Sequence, residues 1–110
     1  MERPMIFGRQ VRAGSSIYDI ATGRRIGNYP RLGGYCAPTQ GSPMLLACRN
    51  GVVAYRDIND PQRDVEFFGG IRPGCYFDMT LAGGLLVMSD GAAGCTCSYL
   101  NQCTIALQPK

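Results

Sequence analysis

The sequence predicts an all-β chain arranged as an incomplete β-propeller, with about two and a half to three blade-like antiparallel sheet units. Three observations carry this expectation. Fifteen glycines and seven prolines among 110 residues favour many turns and short strands over long helices. No segment sustains a 3.6-residue apolar period over three turns. Apolar runs instead recur at about 40 residues, and a period of that length with three or four strands per unit is the mark of a propeller blade. Propellers close with roughly four to eight blades, so three units cannot complete a ring by themselves.

The elements follow in chain order. Pro4-Met5-Ile6-Phe7 recurs as Pro43-Met44-Leu45-Leu46, and Leu85-Leu86-Val87-Met88 follows with Gly83-Gly84 in place of Pro-Met. Each run leads through a polar or glycine turn to a second run. These are Ser16-Ile17-Tyr18-Asp19-Ile20, then Val52 to Ile58, then Thr104-Ile105-Ala106-Leu107 after a longer insertion. The units span roughly 4–35, 36–74 and 75–110, with eight to ten short strands in all. Turn chemistry supports the strands. Arg49-Asn50-Gly51 joins two runs, and Asn-Gly is a strong hairpin signal because both residues tolerate positive φ. Ser89-Asp90-Gly91 is expected to play the same part in the third unit, and Ala21-Thr22-Gly23 to close the second strand of the first.

Composition excludes several function classes. Apolar residues at 45% with 17% charged describe a globular chain and rule out intrinsic disorder. No apolar run reaches the ~18 residues needed to span a bilayer. The absence of histidine excludes Ser-His-Asp and Cys-His nucleophile pairs within the chain and the zinc sets that include His. The net charge of +3 comes from scattered arginines, with Arg24-Arg25 the only adjacent pair. No basic cluster interleaves with aromatics, so nucleic acid is not an expected partner. Met1-Glu2-Arg3-Pro4 lacks the charged-then-apolar layout of a secretory signal.

Tyr18-Asp19-Ile20-Ala21-Thr22-Gly23-Arg24 resembles the quinoprotein-type propeller repeat, in which an Asp and a Thr-Gly pair shape the turn leaving a blade strand. A longer stretch is similar to the last blades of the PQQ-binding-like β-propeller repeat proteins of planctomycetes and related bacteria. It comprises Arg72-Pro73-Gly74-Cys75, Ala82-Gly83-Gly84-Leu85-Leu86-Val87-Met88, Gly94-Cys95-Thr96-Cys97-Ser98-Tyr99, Gln102 and Thr104 to Leu107. Cys36, Gly41-Ser42 and Val53 to Ile58 resemble the preceding blade. The resemblance is specific from about residue 69 to 107 and weak before residue 30. It implies the C-terminal part of a propeller, with the remaining blades as partners and a periplasmic or extracellular parent protein. The sequence departs from the pattern at Gly27, where the repeat usually carries Trp, and at Cys48 and Cys103. Quinone enzymes also use a ring of two adjacent cysteines in several cases, and none are adjacent here. No acidic cluster has calcium-ligand spacing, so no cofactor is expected.

Six cysteines suggest an oxidising compartment. Cys95 and Cys97, at i and i+2, would share one strand face about 6–7 Å apart, too far to bridge each other easily. Cys36 and Cys75 occupy equivalent places in successive units. The four are therefore candidates for two disulfides locking neighbouring blades, each contributing roughly 3–4 kcal/mol in the chain-entropy model. The same four thiolates could alternatively hold zinc or copper(I), and a redox-active pair is a third reading. Six cysteines allow 15 pairings, and the sequence leaves them open. Cys48 is expected to be a buried thiol.

The remaining residues have structural explanations. Asp57, Asp60, Asp64 and Glu66 around Pro61 are expected to form a solvated inter-blade turn. Phe67-Phe68 before Gly69-Gly70 reads as a core strand meeting a bend. Arg72 is the arginine most readily placed at a functional rim, or else it caps a buried carboxylate or carbonyl. The function expected is a non-enzymatic structural or interaction module that docks to missing blades or self-associates through open strand edges. The alternatives are a fragment of a quinoprotein-like dehydrogenase contributing to a cofactor site, and a thiolate-ligated metal protein.

Overall fold

The fold comes from a computed structural model that describes residues 3–29, 32, 38–60, 62–74, 79–89 and 103–110. Among these residues every regular element is a strand, and no helix is long and apolar enough to cross a membrane. The chain is all-β. Among the described residues eleven strands form three antiparallel sheets of three or four strands, none closed on itself.

The first sheet runs β1 (Met5–Phe7), β2 (Gln10–Ala13), β3 (Ser16–Asp19) and β4 (Arg25–Asn28), each strand beside the next. Two-residue turns join its first three strands, and Gly8 takes φ +55° in the first of them, as a primed hairpin turn requires. The β3–β4 turn is closed by Asp19. Its Oδ1 accepts the Ala21 and Thr22 backbone N–H groups, both at 2.9 Å, and its carbonyl accepts Gly23 N–H at 2.9 Å. Pairing then steps from Ile17↔Gly27 to Tyr18↔Arg25, which leaves Ile26 as the extra residue of a β-bulge.

The middle sheet repeats this order with β5 (Gln40–Gly41), β6 (Leu45–Asn50), β7 (Val52–Asp57) and β8 (Glu66–Phe68). As expected from Asn50-Gly51, β6 and β7 form a hairpin in unbroken register from Leu45↔Asp57 to Asn50↔Val52. The third sheet has β9 (Met79–Ala82), β10 (Leu85–Met88) and β11 (Ile105–Leu107), in the order β11-β10-β9. Gly83 and Gly84, both at positive φ, form the two-residue turn between β9 and β10. The expected turn at Asp90-Gly91 lies outside the described residues.

The strand count and the repeat register differ from the sequence expectation. Pro4 to Phe7 matches Pro43 to Leu46 in composition, but it forms the first strand of its sheet, whereas Leu45 and Leu46 belong to a second strand. The true counterpart is β2, whose Gln-Val-Arg-Ala sequence carries little apolar signal. Ser16 to Asp19 is accordingly a third strand. Likewise Gly83-Gly84 is a hairpin turn and not the leader of a run.

The three sheets stack face to face, and the middle sheet is buried on both sides. Side chains alternate along a strand, so Leu46 and Cys48 of β6 point one way with Ala54 of β7. They pack with Tyr29, Leu32, Met5 and Ile17 on the first-sheet side. Ala47 and Val53 point the other way, against Met79, Leu86 and Met88 of the third sheet. This two-sided burial is why β6 reads as a continuous apolar run. The first strands also gather together. A Cβ built on Gly41 of β5 would lie 2.8 Å from Phe7 Cζ, 2.9 Å from Leu46 Cδ2 and 2.9 Å from Met5 Sδ, so the side-chain ends of β1 lie directly against β5. On its other side β5 runs beside β9.

Candidate interaction site

Four surfaces and one buried cation are the features with functional content. The outermost strand of the middle sheet is the first. Phe67 is 57% and Phe68 44% exposed on β8, so the pair does not enter the core as the sequence suggested. The reason is topological: β8 follows β7 outward to the sheet edge, where no further strand covers it among the described residues. Apolar character alone does not dictate burial.

The strand is held to its sheet by a cross-strand pair. Tyr55 and Glu66 lie directly opposite each other, and the Tyr55 hydroxyl donates to Glu66 Oε2 at 2.9 Å. That hydrogen bond, then burial, then the Glu66 charge hold the Tyr55 phenol above its ordinary range, against a pull from Arg63 in the other direction. The folded state thus favours the neutral phenol. The resulting stability is fully present below about pH 10 and is lost as pH rises through the elevated pKa. Spectrophotometric titration is expected to show a late-ionising tyrosine phase, and Tyr55→Phe to remove it. A late phase that persists in the variant would assign it elsewhere.

The acidic segment before β8 is the second surface. It joins two strands of one sheet, β7 and β8, and is therefore not a connection between sheets as expected. Its carboxylates shape the backbone: Asp57 accepts Asn59 N–H at 2.8 Å, Asp60 accepts Gln62 N–H at 3.0 Å and Asp64 accepts Val65 N–H at 2.8 Å. Arg63 bridges Asp60 at 3.8 Å and Glu66 at 3.5 Å, exposed pairs of small energetic weight. Among the described residues no group of three or more Cys, Asp or Glu is placed to hold a metal ion.

The outward faces of the first and third sheets are the remaining two surfaces. Ile6, Val11 and Tyr18 stand directly across from one another on β1, β2 and β3. Ile6 is 64% exposed, and Ile26 is 54% exposed on β4. On the third sheet the corresponding row is Thr80, Val87 and Ala106.

The buried cation is Arg12, one of three buried arginines among the described residues with Arg49 and Arg72, and sequence reasoning did not single it out. It is 6% exposed between the first and middle sheets. Its Cζ lies 4.9 Å from the Phe7 ring centre and 5.8 Å from that of Tyr29. Nε and Nη1 are buried without hydrogen-bond partners. Desolvation lowers the pKa of the guanidinium, against the opposing influence of Tyr29. The rings supply attraction of about 2 kcal/mol for a desolvated contact, while each unsatisfied N–H costs about 1–3 kcal/mol. Arg12→Met keeps the aliphatic packing and removes the unmet donors, so it is expected to raise Tm by a few degrees. A fall in Tm in the same melting experiment would show that the rings hold the cation at a net gain.

Arg72 is buried rather than at a rim, and its Nη1 donates to the Pro73 carbonyl at 3.3 Å, the carbonyl-capping role weighed from the sequence. Cys48 is a buried thiol within the first-sheet layer of the core, and Cys103 is an exposed one. Cys36, Cys75, Cys95 and Cys97 lie outside the described residues. Gly27, where the resembled repeat has Trp, pairs with Ile17, and a Cβ there would meet only Ile17 Cδ1 at 3.9 Å. Comparison of the chain with protein-family models, curated proteins and solved structures finds no match.

Proposed function

We propose that the chain is a non-enzymatic interaction module: the terminal blades of a PQQ-binding-like β-propeller repeat protein. The observation that carries the reading is the stack of three consecutive antiparallel sheets, each built from neighbouring strands in up-and-down order. A propeller blade is such a sheet, and blades stack face to face around an axis. The gathering of β1, β5 and β9 on one side, with β4 and β8 at the outer edges, supports the same arrangement. On this reading the apolar outer faces are surfaces that further blades would cover. Cys36, Cys75, Cys95 and Cys97 are the candidates for disulfides between blades, in a parent protein of the periplasm or the extracellular space.

Native mass spectrometry with and without reductant tests the proposal. The expected mass per subunit is that of the polypeptide with no metal or cofactor, rising on reduction by the hydrogens of two disulfides. A retained zinc or copper mass would replace the module with a thiolate metal protein. A retained quinone with calcium would replace it with a piece of a quinone enzyme.

A further inference from the structure

The charge on Arg12 has no counterpart among the described residues. Strand alternation carries its side chain inward from β2, where Met5 and Ile17 stand directly across on β1 and β3. Both neighbours are apolar. The Phe7 ring and the buried Tyr29 ring attract the cation as a whole, at 4.9 and 5.8 Å. They leave Nε and Nη1 without acceptors, although both atoms are shut off from solvent. Burial lowers the pKa of the guanidinium, and the opposing influence comes from Tyr29, not from a carboxylate.

The described carboxylates are engaged elsewhere. Asp19 accepts the Ala21 and Thr22 N–H groups at Oδ1 and faces Arg9 through Oδ2 at 3.8 Å. Asp57, Asp60, Asp64 and Glu66 lie between β7 and the start of β8, bound to local N–H groups, Arg63 or Tyr55. Arg72 is also buried, but it places Nη1 on the Pro73 carbonyl. Arg12 makes no such bond from Nε or Nη1.

A buried charge is ordinarily paired as well as hydrogen-bonded. Water could accept an N–H here, but it would leave the charge unbalanced. A dianion such as phosphate would overcompensate one guanidinium and forfeit far more hydration on burial. A single negative charge of atomic size meets both needs. We propose that Arg12 holds a small monovalent anion, chloride or an ion of its size, between the first and middle sheets. The ion accepts from the N–H groups that the protein leaves unmet, and the rings hold the cation in place behind it. Bound there, it ties the first sheet to the middle one. The site uses this one interface, so it stands or falls separately from the propeller reading.

Thermal melts at constant ionic strength, with sodium chloride replacing sodium gluconate, test the proposal. Gluconate carries the same charge on a much larger molecule. The wild-type Tm is expected to rise by about 5 °C for each tenfold increase in chloride above its Kd, because only the folded state holds the ion. Arg12→Met should melt at one temperature across the series. Arg24→Met, which alters an exposed arginine, should keep the wild-type slope. A wild-type Tm indifferent to chloride, or a slope that persists in Arg12→Met, would overturn the proposal. If Arg12→Met does not fold, crystals of the wild-type chain grown in bromide provide the second measurement. An anomalous peak within hydrogen-bond reach of Arg12 Nε or Nη1 would support the site. Bromide found only on the outer surface, an adventitious ion only, would overturn it.

Discussion

Leu46→Ala is expected to destabilise the chain by about 2–5 kcal/mol, the range for removing a fully buried leucine. Leu46 is 1% exposed and packs with Tyr29, Leu32, Cys48 and Ala54 between the first and middle sheets. It also pairs with Gly41 on β5 and with Arg56 on β7. These strands are fixed by their ladders and cannot collapse into the space left by the side chain. The cavity therefore persists, and its cost adds to the lost transfer free energy. Against a total stability of about 5–15 kcal/mol for a domain, this is a large fraction. Thermal melts should fall by roughly 4–8 °C for each kcal/mol at this length. Urea titration should shift its midpoint with little change in slope. A loss under 1 kcal/mol would mean that the first sheet contributes little to the stability of the middle one.

Met88→Ala is expected to cost a similar amount, about 2–5 kcal/mol, at the opposite interface. Met88 is fully buried at the end of β10, directly across from Met79 on one side and Ile105 on the other. Its cluster includes Ala47 and Val53 on the far face of the middle sheet. An unbranched thioether repacks more readily than leucine, which places the effect toward the lower end. Leu46 and Met88 belong to separate layers divided by the middle sheet. In the double variant their costs should add within about 0.3–0.5 kcal/mol. A marked departure from additivity, read by urea denaturation, would mean that the middle sheet transmits strain from one layer to the other.

What the sequence revealed depended on how many faces of a strand are buried. β6 and β7 were legible because both faces of the middle sheet are covered, giving unbroken apolar runs with Asn50-Gly51 between them. β2 was not legible because its inward residue is Arg12, whose charge conceals a core position. The glycine turns on either side of it, at Gly8 and Gly14, were the signal that could have located it. Gly83-Gly84 likewise marked a hairpin and, with it, β9. Phe67 and Phe68 misled for the opposite reason. Their position at the edge comes from sheet order, which no local pattern encodes. The outward apolar row was similarly hidden: Ile6, Val11 and Tyr18 come from three strands, and only register aligns them.

The up-and-down order of each sheet also has a consequence for how the chain folds. Every strand pair joins neighbours in sequence, and apart from β10 and β11, which residues 89–104 separate, each pair can form from local contacts without closing a long loop. The central strands β6 and β7 of the middle sheet are covered on both faces and gain their apolar burial only as the sheets on either side dock. Folding is then close to one-dimensional, with nearest-neighbour docking supplying the cooperativity, as in linear repeat proteins. Removing residues 3–28 should therefore weaken the middle sheet more than the third, which keeps its own interface intact.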